Sequence, residues 1–219
     1  NLASKQHYTQ QELRDLIEYA RQRHIMVVPE VDVPGHTVAI LATYPELACT
    51  HLVDAEKTVG RTEQMMLCAS QPKVYDILSD VIEEIAKTFD APYIHLGGDE
   101  SAIEKNWAQC ERCKQMMNDC GYTDISQLMI PFFNKVLGEV KRVGKKPILW
   151  CELNNIWPPA DKYLFPYPQD VTLVTWRNAL TPTCLSLTAQ SGNPIIMAPG
   201  EHAYLDYPQY KNDLPEFKN

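Results

Sequence analysis

The chain has 219 residues, of which 45% are hydrophobic, and a formal net charge of −8. This length suffices for the core of one large α/β domain, and no apolar run approaches the roughly 18 residues of a membrane span. The apolar pattern therefore leads us to expect no membrane partner. The negative charge would repel a phosphate backbone, so we expect no nucleic acid as partner either.

The first predicted elements are a helix and a buried strand. Thr9 and Glu12 fit a capping box, and apolar residues then recur at helical spacing as far as Ala20. The continuous apolar run at 25–30 predicts a buried strand. A long loop rich in turn residues follows, from 31 to about 71.

Helices and short strands alternate along the rest of the chain. Apolar residues at helical spacing predict helices over residues 74–85, 103–118, 125–140 and 181–190. Short apolar runs predict strands at residues 93–95, 147–150, 171–175 and 194–198. Pro131 should kink its helix or mark a late start.

This alternation is typical of βαβ units and a parallel sheet, and both a doubly wound sheet and a β/α barrel fit it. Polar or aromatic residues with candidate chemistry follow every predicted strand: Glu30, Asp32, the segment from His95 to Glu100, Trp150, Glu152, Trp176, Arg177, Tyr204 and Asp206. Functional residues at several strand ends are typical of a barrel. We therefore predict an α/β fold, a parallel β/α (TIM-type) barrel, although five strands are found where a closed barrel needs eight.

The most informative segment is His95-Leu96-Gly97-Gly98-Asp99-Glu100. Its two glycines permit a strand to open into a pocket floor. A pair of carboxylates suggests glycoside hydrolysis, in which one carboxyl acts as general acid. Sequence neighbours cannot easily face each other across a sugar ring. This favours Glu100 as proton donor to the leaving oxygen, with Asp99 orienting or charge-stabilising a group on the substrate.

Aromatic residues near the strand ends supply flat apolar faces on which sugar rings can stack. Each one alone fits a role in the core equally well. The candidates are Trp150, Trp157, Trp176, Tyr204 and Tyr207.

Five motifs occur in one order over nearly the whole chain. They are residues 28–36, which end in Pro-Gly-His, residues 95–100, the Trp-x-Glu of 149–152, the Thr-Trp-Arg of 175–177 and the Tyr-Leu-Asp of 204–206. These segments resemble the third-strand, H-x-G-G-D-E, fifth-strand, sixth-strand and seventh-strand motifs of family-20 glycoside hydrolases, the β-N-acetylhexosaminidases.

The resemblance implies removal of terminal β-linked N-acetylglucosamine or N-acetylgalactosamine by a substrate-assisted retaining mechanism. The acetamido oxygen of the sugar attacks the anomeric carbon and forms an oxazolinium intermediate. Glu100 would be the general acid and then the base that activates water. Asp99 would orient the acetamido N–H and balance the developing positive charge.

The other site residues are also implied by the resemblance. Trp150 and Trp176 would wall the acetamido pocket, and Tyr204 would donate its hydroxyl to the acetamido oxygen. Asp206 would bind a distal sugar hydroxyl, and Glu152 would lie near the pocket.

Three further residues would support the acids. His36 and Asp32 would act on Glu100 electrostatically, although His36 also fits satisfaction of loop carbonyls and Asp32 fits a turn beside Pro34. His95 would orient the acidic loop through hydrogen bonds. No cofactor or metal is implied. The expected partner is an N-acetylated glycan or glycoconjugate, and the expected compartment is extracytoplasmic (secreted, periplasmic or lysosomal).

The family's first-strand arginine and eighth-strand tryptophan have no counterpart in the chain. We therefore expect residues 1–219 to form a single partial catalytic β/α-barrel domain covering about strands 3 to 7 of a longer enzyme. This leaves open whether the piece is active alone. Its two sheet edges would favour association, including a homo-oligomer.

Two other interpretations stay open. One is a carbohydrate-binding homologue or fragment without turnover, against which the intact Asp99-Glu100 pair argues. The other is a metallohydrolase with Asp32, His36, His95 and Asp99 as ligands, although no HxxxH or HxH spacing is present.

The seven cysteines form no complete metal motif in the sequence. Cys110 and Cys113 make one CxxC, with Cys120 nearby, and without a second ligand pair this is weak evidence for zinc. Packing cysteines or one local disulfide are favoured instead. Cys49 and Cys68 flank a loop and would be able to pair in an oxidising compartment.

Overall fold

The centre of the fold is a parallel sheet. The structure, a computed structural model, describes residues 7–53, 65–151 and 165–204. The strands are β1 (Tyr93–His95), β2 (Lys146–Trp150), β3 (Thr172–Thr175) and β4 (Ile195–Met197). Neighbouring strands are parallel, and their spatial order follows the chain, β1-β2-β3-β4. A doubly wound sheet reverses its strand order partway, so this unbroken order favours the barrel.

Helices connect and cover the strands. They are α1 (Gln10–Arg21), α2 (Val38–Thr43), α3 (Thr50–Val53), α4 (Pro72–Thr88), α5 (Glu111–Asp119), α6 (Met129–Arg142), α7 (Thr181–Ser191) and α8 (Gly200–Ala203). The predicted capping box of α1 is confirmed, with Thr9 and Glu12 exchanging hydrogen bonds. The late start at Pro131 is also confirmed, since α6 begins at Met129 and places the proline in its first turn, where no N–H is needed. Within the described part of the chain, no helix is both long and apolar enough to cross a membrane.

The core lies between the sheet and α4 and α6. Helix α6 buries one face, including Phe132, Phe133 and Val136, and α4 buries Leu78 and Ile82. At the outer edge of this pair the Ser79 hydroxyl donates to Glu139 at 2.7 Å. Together these contacts fix the strands whose carboxyl ends carry the candidate site.

The buried strand predicted at 25–30 is only partly correct. Glu30 makes a parallel bridge to His95, and the His95 N–H donates to the Pro29 carbonyl at 2.9 Å. Ile25 and Met26 are more than half exposed. Proline has no N–H to donate, and among the described residues only one edge of the segment is paired, so the regular ladder does not extend.

The continuous helix predicted at 103–118 is interrupted. Two 3₁₀ turns, Ile103–Lys105 and Trp107–Gln109, precede α5. Between them the buried Asn106 side chain donates to the Ala102 carbonyl at 2.8 Å and accepts from the Met66 N–H at 3.2 Å. A side chain that binds backbone groups in this way competes with the helical hydrogen bonds.

Candidate active site

The candidate site lies where the parallel strands end. His95 ends β1, Trp150 ends β2, and Trp176 follows β3 directly. Tyr204 follows the short helix α8 after β4. Because parallel neighbours point the same way, these side chains meet at one edge of the sheet, the edge at which β/α barrels carry their chemistry.

A glycine turn after β1 delivers the two carboxylates. Gly97 and Gly98 have φ values of +66° and +102°, which favour glycine. A Cβ atom on Gly97 would overlap the Asp32 carboxyl and lie 2.7 Å from the Asp32 Cα. The Gly98 N–H donates to Asp32 Oδ1 at 3.1 Å. Glu100 itself has a φ of +47°, a conformation that costs a residue with a side chain energy and that clusters at functional sites.

Glu100 is the more exposed of the two acids, with 46% of its side chain accessible. Arg177 Nη2 donates to Glu100 Oε1 at 2.7 Å, and His36 Nε2 lies 3.6 Å from Glu100 Oε2. The Arg177 guanidinium also stacks over Trp176, 4.0 Å from the ring centroid. The sequence places Arg177 at a strand end without indicating its role. The feature of the sequence that could have indicated a role is that this basic residue directly follows Trp176.

Asp99 is buried against two groups from the 31–37 loop. Its Oδ2 atom lies 3.5 Å from His36 Nε2. Its Oδ1 atom is buried and accepts no hydrogen bond from the residues that the structure describes. Burial, followed by the neighbouring Asp99 charge, raises the pKa of Asp32 well above its usual range. Asp32 is therefore protonated at neutral pH and is the group able to donate to Asp99.

These three side chains also bear on the metallohydrolase alternative. Asp32, His36 and Asp99 each offer a ligand atom, and these atoms lie within 4.8 Å of one another. His95, the fourth proposed ligand, is not in this group.

His95 is buried beneath the acidic loop. The Gly97 N–H donates to His95 Nδ1 at 3.0 Å, and the ring lies 4.6 Å from the Trp150 ring between centroids. Burial lowers the pKa of His95 to about 4. The imidazole is therefore neutral and accepts a hydrogen bond from the turn.

Glu30, to which the sequence assigns no role, lies between His95 and Trp150. Glu30 Oε1 accepts from the Trp150 indole N–H at 3.1 Å and lies 3.3 Å from His95 Nδ1. Burial raises the pKa of Glu30. Only the position of this residue at the end of a predicted strand could have pointed to it.

The neutral His95 makes stability sensitive to acid. Between pH 6.5 and 4 the unfolded chain binds a proton at this histidine that the folded chain does not, so acidification favours unfolding. We expect the free energy of unfolding, measured with urea, to fall between pH 7 and pH 5 by about 2 kcal/mol more in the wild-type protein than in His95→Gln. The raised pKa of Asp32 makes the free energy of unfolding rise on acidification, and this contribution is the same in both proteins.

The exposed His202 supplies the control for that measurement. His202→Gln should keep the wild-type dependence on pH. Identical pH slopes in wild type and His95→Gln would contradict a buried neutral His95.

Three aromatic rings form a continuous wall beside the acids. Trp150 and Trp176 meet edge to face with centroids 6.3 Å apart. Trp176 and Tyr204 stack with an interplanar angle of 4° and centroids 6.0 Å apart. Two other predicted site residues, Glu152 and Asp206, lie outside the described residues, as do Trp157 and Tyr207.

The chain matches the family described as "Glycosyl hydrolase family 20, catalytic domain" over residues 2–219. It is 34% identical over 205 residues to a beta-hexosaminidase of Porphyromonas gingivalis, covering 92% of this chain and 24% of that protein. It is 32% identical over 204 residues to a beta-hexosaminidase of Akkermansia muciniphila, covering 92% and 39%. The chain thus spans between about a quarter and two fifths of these relatives.

A solved structure shares the fold. The family-20 exo-β-N-acetylglucosaminidase of Vibrio harveyi, solved in complex with N-acetylglucosamine, superposes with a TM-score of 0.70. The two sequences are 29% identical, and the match covers 89% of this chain and 29% of that one. Together with the sequential parallel strands, this likeness confirms the prediction of a β/α-barrel fold.

Proposed function

The chain belongs to glycosyl hydrolase family 20, and from this premise we propose that it is part of a β-N-acetylhexosaminidase. It would remove terminal β-linked N-acetylglucosamine or N-acetylgalactosamine from a glycan or glycoconjugate. We further propose an extracytoplasmic location, without nucleic-acid or membrane partners.

The adjacency of Asp99 and Glu100 after the glycine turn carries the proposal. A two-carboxylate retaining glycosidase holds its carboxyls about 5 Å apart on opposite sides of the bond, as acid and nucleophile. Two consecutive residues of one turn, one buried and one exposed, are poorly arranged for that. A 2-acetamido group on the substrate is able to supply the nucleophile in place of a second carboxylate.

In the proposed first step the acetamido carbonyl oxygen bonds to the anomeric carbon. The glycosidic C–O bond breaks, and the leaving oxygen takes the proton of Glu100. In the second step water attacks the anomeric carbon of the oxazolinium ion, gives its proton to Glu100 and restores the acetamido group. The exposure of Glu100 at the strand ends suits a group that must meet both aglycone and water.

Asp99 would stabilise the positive charge that develops on the acetamido group. A protonated Asp32 contributes no competing negative charge and is able to hold the buried side of Asp99. The ring of His36 lies within 3.6 Å of both acids and would complete their support. The wall of Trp150, Trp176 and Tyr204 would enclose the acetamido methyl group.

Matched nitrophenyl substrates test this proposal on the full-length protein. We expect the β-N-acetylglucosaminide to be hydrolysed and the β-glucoside, which lacks the acetamido group, to be left intact. The β-N-acetylgalactosaminide would report on tolerance at the 4-hydroxyl. Equal turnover of glucoside and acetamido sugar would contradict the substrate-assisted mechanism. Loss of turnover with a chelator at an unchanged melting temperature would favour the metallohydrolase.

Calorimetry separates catalysis from binding alone. Binding of N-acetylglucosamine without hydrolysis of any nitrophenyl substrate would favour the non-catalytic carbohydrate-binding alternative. Glucose is the control ligand, since a pocket that recognises the acetamido group should bind it far more weakly.

A further inference from the structure

Four buried cysteines from separate parts of the chain converge at one point, and none of them is among the residues of the candidate active site. They are Cys49, Cys68, Cys110 and Cys113, and none has measurable exposure. Their sulfur atoms all lie within 4.8 Å of one another. Cys68 Sγ is 3.5 Å from Cys113 Sγ and 4.0 Å from Cys110 Sγ.

Local structure explains the convergence. An antiparallel bridge between Ala48 and Leu67 brings together the two segments that carry Cys49 and Cys68. Cys110 directly precedes α5, and Cys113 lies in the first turn of this helix. The second ligand pair that the CxxC lacked in the sequence is therefore Cys49 with Cys68. Cys120 is exposed at the far end of α5 and takes no part.

The sulfur distances fit a shared metal ion. Zinc–sulfur bonds of about 2.3 Å in a tetrahedron place the sulfur atoms about 3.8 Å apart, between the 3.5 and 4.0 Å observed. A disulfide requires about 2.05 Å, and no disulfide joins any cysteine of the described residues. We propose that Cys49, Cys68, Cys110 and Cys113 bind one structural zinc ion.

Neighbouring side chains suit such a site. Zinc with four thiolates carries a net negative charge, and Arg112 Nη2 lies 3.9 Å from Cys68 Sγ. The Ser70 hydroxyl lies 3.2 Å from Cys68 Sγ, where it is able to donate to the thiolate. Such outer contacts orient metal ligands. Four protein ligands leave no open position, so the role is structural and independent of the proposed hydrolysis.

The site braces the loops that hold the acids. The Leu67 N–H, one residue before Cys68, donates to the Pro34 carbonyl at 2.9 Å. The Trp107 indole N–H donates to the Leu67 carbonyl at 2.8 Å. The zinc would thus tie the loop of His36 to the segment that follows Glu100.

Metal analysis of the wild-type protein, purified without a metal-affinity column, tests the proposal directly. Elemental mass spectrometry should find about one zinc ion per chain. The double variant Cys110→Ser/Cys113→Ser should lose the zinc ion. The control variant Cys120→Ser, which replaces an exposed cysteine at the end of the same helix, should retain the ion. Wild-type protein without zinc, with iron in its place, or with an intact mass that shows disulfides at these cysteines would overturn the proposal.

A second measurement needs no variant and covers the case in which the double variant fails to fold. A mercurial reagent that captures thiolates should release the zinc into a metal-sensitive dye, and the melting temperature should then fall by about 10 °C or more. Cobalt(II) exchanged into the site should show the visible absorption of a tetrahedral tetrathiolate. Cobalt spectra without sulfur ligation, or a melting temperature that ignores metal removal, would contradict the site.

Discussion

Replacing Glu100 with glutamine should lower kcat/KM for aryl β-N-acetylglucosaminides by about 10²- to 10⁴-fold, the usual contribution of a general acid–base residue. Glutamine preserves the shape of the side chain but has no acidic proton to transfer to the leaving oxygen. It also replaces the ion pair with Arg177 by a neutral contact. The melting temperature should change little because Glu100 is nearly half exposed.

Leaving-group dependence distinguishes proton donation from a structural effect. A dinitrophenolate departs with little protonation, so the deficit of Glu100→Gln should shrink on that substrate and grow on poorer leaving groups. Glu104→Gln, an exposed glutamate on the same loop, should retain wild-type rates. A deficit that is the same for every aglycone would refute the assignment of Glu100 as general acid.

Gly97→Ala should both destabilise the protein and abolish most activity. The new Cβ would overlap the Asp32 carboxyl while the backbone stays at a φ of +66°. Left-handed strain and overpacking together should cost about 2 to 4 kcal/mol in urea unfolding. Displacement of Asp32 and the acidic turn by about 1 Å should lower kcat/KM about 10²-fold or more.

Gly121→Ala is the matched control, because Gly121 has a φ of +68° and a Cβ added there would meet no atom within 4 Å. It should show the backbone cost alone, about 1 kcal/mol, and normal activity. Equal effects of the two substitutions on unfolding and on kcat/KM would show that contact with Asp32 is not what requires glycine at position 97.

Local patterns predicted most of the architecture. The capping box at Thr9, the proline in the first turn of α6 and the strands ending at His95 and Trp150 depend on neighbouring residues alone, and the structure confirms them. The 103–118 segment could not be predicted correctly, because its interruption depends on a hydrogen bond from the distant Met66 to Asn106.

The sequence also predicts only part of the candidate site. The two acids belong to one recognisable motif, in which they directly follow the two glycines of the turn. By contrast, Arg177 reaches Glu100 across 77 positions of sequence, and Glu30 reaches Trp150 across 120. Contacts of that range depend on the assembly of the parallel sheet, which brings distant strand ends together, and no periodicity or composition predicts them.

The cysteine cluster, as the proposed zinc site, has a consequence for folding. Cys68 and Cys110 are 42 positions apart and meet only in the folded chain, so the free energy of zinc binding would add to the free energy of folding. The supply of metal during synthesis would then govern how much chain reaches the native state. The yield of folded protein should then fall in a zinc-poor culture medium, although none of the four cysteines is a proposed catalytic residue.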